Sequence, residues 1–380
     1  MWIEVPRAEE RRLRADLEKR TDVDAMRMMR YLKMPDLSRT PDNPLYELVQ
    51  RILAIPDFKN YDIIEVPEIV GMEVVFDLFD FPKDHPARSK SDSYFVDDRN
   101  VLRTHTTVMW YYWLKEESVR KRIKAGEAVG ALSFGKVYRK DEIDRRHMNV
   151  FHQIDGWYLT RKKEKIITID DLKKVLSDIA KAAFGPKVKY RFNPDTFPYT
   201  DPSLEMEIDK DGNDTWVEVL GAGVVKGSVL DNLGVDSSIW NGWAFGFGLE
   251  RLAIISMELP DIRLLWSQDK RVKKQLELGQ PFKEVSKYPP VVRDISFIVG
   301  QDFVPNNYFD LVRDVVGDMV EQMELLDKYE NKAKLGVDKV SYAYRITYRS
   351  IDRTLTSGEV NVLHAKLEAA TVENFNAIIR

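Results

Sequence analysis

The 380-residue sequence contains no cysteine. Disulfides are therefore impossible and no metal can be held through thiolates, so a metal, if one binds, must be taken by oxygen or histidine. No stretch approaches the ~20 consecutive apolar residues that span a bilayer. The N-terminal "MWIEVPRAEERRLRADLEKR" lacks the apolar centre of a signal peptide, and its arginines are matched by acids, unlike those of a transit peptide. Bulk basicity is absent too. A formal net charge of -4 excludes nucleic-acid binding driven by overall charge and leaves only local basic patches. These absences predict a soluble, cytoplasmic chain with no membrane partner.

What is present is a 44% hydrophobic and 32% charged chain, enough for a large core, and its length favours two or three domains. Residues 1–44 read as a helical appendage broken at "MPDLSRTPDNP". Residues 45–280 open with the amphipathic "LYELVQRILAI" and continue as β-rich runs ("YDIIEVPEIV", "GKVYRK", "FHQIDGWYLT", "KVKYRF", "LEMEID", "TWVEVLGAG") with a few helices, among them "TIDDLKKVLSDIAKAAFG". Strands that follow one another with few crossover helices predict an antiparallel sheet in an α+β domain. Residues 281–380 change pattern to β-α-β-β-α-β, the ferredoxin-like split unit.

The stretch "FGKVYRKDEIDRRHMNVFHQIDG", residues 134–156, places a charged loop between two alternating strands. Arg139 leaves the first strand, and His147 sits where the loop returns. Charged hairpins are usually solvated surface. This one resembles motif 2 of the class II aminoacyl-tRNA synthetases, and "GFGLERL" (246–252) resembles their motif 3, a glycine-flanked strand feeding a helix that carries Arg251. "PDIRLLW", "DHPARSKSDSYFV", "LRTHTT", "FPYTDPSLEMEI" and "WVEVLGAG" resemble the phenylalanyl branch, and residues 288–360 resemble a ferredoxin-fold anticodon-binding domain. Together they look like the monomeric, mitochondrial-type family, which puts the mitochondrial matrix beside the cytoplasm as an alternative compartment.

The resemblance implies a magnesium-dependent ligase that activates phenylalanine with ATP and transfers it to tRNA(Phe). Activation brings a carboxylate to the α-phosphate of ATP, so its catalysis is positioning and charge stabilisation. By resemblance, Arg139 and Arg251 are the catalytic arginines, and Arg146, His147, Met148, Phe151 and Glu218 complete the ATP site, with Glu218 also holding Mg²⁺. The amino acid would lie among His105, Thr107, Val108, Met109, Trp110, Gln153, Asp155, Ala222, Trp243 and Phe245. Simple core packing is the alternative reading of Trp243 and Phe245. Three positions depart from the family pattern: Thr107 for Ser, Trp110 for Gln, and Asp155 for Glu. All three fall in the amino-acid shell, which keeps two alternatives open: a related ligase for a different amino acid, or a paralogue that binds RNA or amino acid without ligation.

For tRNA, residues 332–353 carry a surplus of four positive charges, and the resemblance assigns Lys332, Lys334, Arg345, Arg349 and Arg353 to RNA contact. A solvated strand face is the simpler reading of the same pattern. The basic runs "RKRIK" (120–124) and "RKKEK" (161–165) are open to the acceptor stem or to solvent alone.

Overall fold

The structure, a computed structural model, describes residues 1–210, 212–284, 288–331 and 335–380. The chain divides into two compact units. One comprises Met1–Arg139, Val150–Glu258 and Glu277–Pro281, and the other comprises Lys140–Asn149, Leu259–Leu276 and Phe282–Arg380.

The first unit is built on β1 (Trp2–Glu4), β2 (Asp62–Glu65), β5 (Val129–Tyr138), β6 (Val150–Arg161), β7 (Lys189–Phe197), β8 (Thr200–Asp209), β9 (Val217–Val225) and β10 (Trp240–Gly248). The short β3 (Ile69–Gly71) and β4 (Asn100–Leu102) pair separately. The large sheet runs in the order β1-β2-β5-β6-β10-β9-β8-β7. From β5 to β7 every pairing is antiparallel, as expected, but β1 with β2 and β2 with β5 are parallel, so the sheet is mixed. More than sixty residues separate β2 from β5, long enough for the crossover that a parallel pair requires. The expected helical appendage does contain two helices, Ala8–Lys19 and Val23–Lys33, yet its first strand joins the sheet edge.

Local chemistry sets the helices. Thr168 and Asp171 form a capping box for Ile169–Phe184, whose Leu172, Leu176, Ile179 and Ala183 form a buried stripe at helical spacing. Asn43 caps Pro44–Leu53, where the proline occupies a first turn that needs no N–H.

The second unit contains β11 (Val291–Gly300), β12 (Val320–Tyr329), β13 (Lys339–Tyr348) and β14 (Ile378–Ile379), in the order β12-β13-β11-β14, with helices Pro305–Val316 and Ser357–Phe375. This is the expected β-α-β-β-α-β unit. Its core holds Phe297, Tyr308, Tyr344, Ile346 and Tyr348. Ile143, from the charged loop, is buried in that same core, and its carbonyl accepts from the Met323 N–H at 3.0 Å.

Candidate active site

Strand β6 alternates, so Phe151, Gln153, Asp155 and Trp157 share one face while His152, Ile154, Gly156 and Tyr158 share the other. Across the ladder Gly248 opposes Gln153, Gly246 opposes Asp155 and Ala244 opposes Trp157, and on β9 Gly221 opposes Gly246 and Gly223 opposes Ala244. Beside the two polar side chains the sheet is thus nearly bare. Neighbouring groups lie close over this floor: a Cβ at Gly221 would come within 2.5 Å of the Phe197 ring, and one at Gly223 within 2.5 Å of Thr200 Cβ. Tyr199 stacks beside Phe197 at 6.1 Å and meets Phe79 and Trp110 edge-on, each at 6.2 Å. A glycine floor with an aromatic wall suits a flat apolar group.

The amino-acid shell expected from sequence requires correction on this geometry. Phe245 opposes Gly156 and Ala222, and Trp243 opposes Tyr158, so Phe245, Trp243 and Ala222 belong to the opposite face of the sheet from Gln153 and Asp155. Phe245 fills the space left by Gly156 and lies 5.9 Å from Phe58, while Trp243 lies 6.2 Å from Tyr61. They are core. Val108 and Met109 are likewise fully buried in the hydrophobic core of this unit, which the turn at 106–108 reaches as it enters the Met109–Lys115 helix.

Thr107 and Asp155 do come together. Thr107 Oγ1 donates to Asp155 Oδ1 at 2.8 Å, and Thr106 Oγ1 donates to Oδ2. Burial pushes the Asp155 carboxyl up to about 6, against the pull of the two hydroxyls and of Arg139. The Thr106 N–H donates to Gln153 Oε1 at 3.3 Å. His105 is buried, and Nε2 donates to the Val75 carbonyl at 3.1 Å, so Nδ1 is left as an acceptor without a partner. Burial, then the charge of Arg139, pushes its pKa down to about 3, keeping it neutral. Trp110 is fully buried, stacked on Trp157 at 4.3 Å, with its indole N–H unpartnered.

At the other end of the floor Arg139 donates to the Thr104 carbonyl at 2.9 Å and places its guanidinium 5.2 Å from the Phe151 ring centre. Arg251 opens the Leu249–Met257 helix and lies half-exposed, 3.4 Å from Glu218. Glu218 in turn opposes Glu207 across β8 and β9. Two carboxylates facing each other are hard oxygen donors of the type Mg²⁺ takes. Among the described residues no cluster of three or more metal-ligating side chains occurs. The preceding Glu250 is buried and does not pair with Arg251: it accepts the His152 N–H at 2.8 and 3.0 Å, where β10 has left the ladder.

Arg146, His147 and Met148 belong to the second unit. There His147 Nδ1 lies 2.8 Å from Asp144, whose carboxyl is held below its usual value by hydrogen bonds from His147 and the Arg146 N–H that outweigh its burial. Of the residues expected to meet tRNA, Lys332 and Lys334 lie outside the described residues. Arg345 makes two 2.9 Å bonds to Asp294, Arg349 lies 2.6 Å from Glu321, and Arg353 lies 2.8 Å from Glu359. Among the described residues, the three arginines that sequence alone counted as surplus are each matched by an acid from another element.

The sequence reading missed Thr106, Phe197, Tyr199 and the paired glycines. A signal existed: "GAG" at 221–223 and "GFG" at 246–248 both put glycine at every second position, which bares one face of each strand.

Residues 31–276 match the family described as tRNA synthetases class II core domain (F), and residues 286–380 match the ferredoxin-fold anticodon binding domain. Over 83% of its length the chain is 38% identical to the chloroplastic/mitochondrial phenylalanine–tRNA ligase of Arabidopsis thaliana, of which it covers 72%. It is 35% identical to a probable mitochondrial phenylalanine–tRNA ligase of Drosophila melanogaster, covering 89% of this chain and 85% of that one. The mitochondrial enzyme of Mus musculus is 36% identical over 84% of this chain and 74% of its own.

Proposed function

The chain belongs to the class II aminoacyl-tRNA synthetases and, within them, to the phenylalanine–tRNA ligase family, and from that premise we propose that it activates phenylalanine with ATP and transfers it to tRNA(Phe). The observation that carries the reading is the glycine floor bounded by Asp155 and Gln153 on one side and by Phe197 and Tyr199 on another.

Asp155, with Gln153 beside it, receives the substrate ammonium, and the benzyl group lies against Phe197 and Tyr199, the aromatic wall that the glycines let approach the sheet. That pose leaves the substrate carboxylate toward Arg139, which bridges it to the α-phosphate. Phe151 stacks on adenine and Arg251 holds the far phosphates. The carboxylate attacks phosphorus in line and pyrophosphate leaves; no protein nucleophile takes part. A terminal ribose hydroxyl of tRNA then displaces AMP from the adenylate. Glu218, with Glu207 opposite, would hold Mg²⁺, which neutralises phosphate charge when bound. The C-terminal unit takes the anticodon end of the tRNA, and a single chain carries both parts as a monomer. The relatives' names favour an organelle over the cytoplasm, a choice that fractionation of the tagged protein decides.

The changed shell, Thr107, Trp110 and Asp155, favours one second reading, a ligase of the same class for a different amino acid. ATP–pyrophosphate exchange with each amino acid in turn tests both. Phenylalanine should give the highest kcat/KM, and Arg139→Ala or Arg251→Ala should lower exchange by about 100-fold or more. Exchange driven best by another residue overturns the substrate, and exchange with none overturns the enzyme.

A further inference from the structure

Behind the floor, on the face of β6 away from the substrate, His152 is fully buried and held from two directions. Its Nδ1 lies 2.6 Å from Glu250 Oε1, and its Nε2 lies 2.9 Å from the backbone N–H of Leu37. A backbone N–H can only donate, so Nε2 is the acceptor and Nδ1 carries the proton. Glu250 thereby receives both the backbone N–H and the imidazole of His152. Asp36 Oδ1 also faces Nε2, at 3.4 Å.

Leu37 belongs to the short turn Leu37–Arg39, which is fixed independently of the imidazole. Asp36 caps it by accepting the Ser38 N–H at 3.0 Å, and Arg39 donates to the Phe134 carbonyl at 3.0 Å while lying 4.3 Å over the Phe134 ring. The next residue, Gly135, has φ +146, and a Cβ there would come within 2.7 Å of Arg103 and 3.1 Å of Asp36. The turn therefore packs against β5 at Gly135, the position that opposes Gln153.

We infer that residues 36–39 are part of the activation site's scaffold and that His152 is a positioning residue, coupling this turn to the first turn of the Leu249–Met257 helix. The consequence follows from chain geometry. Phe151 and Gln153 flank His152 and emerge on the substrate face, and Arg251 adjoins Glu250, so one imidazole ties the adenine, ammonium and phosphate contacts into one register. An N-terminal segment that the sequence marked only as an appendage thus sets the geometry of three substrate contacts. This rests on the ligase reading above.

The test compares Leu37→Pro with Leu37→Ala in the full chain. Both shorten a buried side chain, but only proline removes the donated N–H, and Asp36, with ψ 102, already has the extended backbone that a following proline requires. Measured per titrated active site, kcat/KM for ATP in exchange should be about 3- to 10-fold lower in the proline variant, the worth of one lost hydrogen bond. Equal values in the two variants overturn the coupling. Should the proline variant not fold, His152→Asn, which keeps a donor near Glu250, and His152→Gln, which keeps an acceptor near Leu37, carry the same test. Each should lose kcat/KM with a melting temperature near that of the wild type, and wild-type kinetics in both overturn the role. Imidazole ¹⁵N shifts give a readout apart from activity. If the wild type exchanges with no amino acid, the ligase reading falls, while a His152 signal that is the same in Leu37→Pro and Leu37→Ala overturns the coupling itself.

Discussion

Asp155 stands directly across the β6/β10 ladder from Gly246, and a Cβ at position 246 would come within 2.7 Å of Asp155 Oδ1. The absence of a side chain at 246 is therefore what lets a short carboxylate reach its two threonine partners. Gly246→Ala should push Asp155 off them and raise KM for the amino acid by about 10- to 100-fold, the scale of a misplacement near 1 Å. KM for ATP, read in the same exchange assay, should change far less.

The Asp155 carboxyl, raised to about 6, predicts opposite pH trends for binding and for stability. A substrate ammonium needs the ionised form, so KM for the amino acid should fall as pH rises from 5 to 7 and then level. Stability runs the other way. The folded-state value lies above the unfolded one, so the native state binds the proton more tightly, and this contribution is complete at low pH and lost as pH rises through about 6. Asp155→Asn removes the ionisation. It should unfold at the same denaturant concentration as the wild type near pH 4, and be more stable by up to about 3 kcal/mol at pH 8. A wild type that is the more stable of the two at pH 8 contradicts the burial argument.

Phe245→Ala distinguishes core from pocket. Buried on the face away from Asp155, Phe245 should cost about 3–5 kcal/mol of stability when truncated. Exchange by the folded fraction should keep its preference for phenylalanine over tyrosine. A changed preference would return Phe245 to the substrate shell.

Arg345 tests the proposed RNA contact of β13. Its pair with Asp294 is about half exposed, so breaking it should leave melting nearly unchanged. If the guanidinium exchanges Asp294 for a phosphate when tRNA binds, Arg345→Ala should weaken binding and reduce the log–log salt slope by about 1. Asp294→Asn should strengthen binding by freeing the arginine. An unchanged slope removes Arg345 from the interface.

Much of the chemistry was legible because it is local. The β-α-β-β-α-β order and the placing of Arg139 and Arg251 beside their strands are each specified within short stretches of chain. The side of a strand is less secure. Phe245 and Ala222 read as pocket residues because they are aromatic and small, yet Phe245 pairs with Gly156 and Ala222 pairs with Phe245, which turns both away from Asp155. A shift of one residue in register would have exchanged the two faces, and register depends on partners roughly 90 residues distant along the chain.

By itself, then, the sequence determined the fold class and the family and picked out Arg139 and Arg251, because motifs, turns and alternation act between near neighbours. Tertiary structure alone decided that Phe245 and Trp243 lie on the face of the sheet away from Asp155, that Arg345, Arg349 and Arg353 are each matched by an acid, and that His152 joins Leu37 to Glu250. The last of these spans 115 positions to Leu37 and 98 to Glu250. Only the folded sheet, by bringing such distant segments within hydrogen-bond reach, gives them any energy at all.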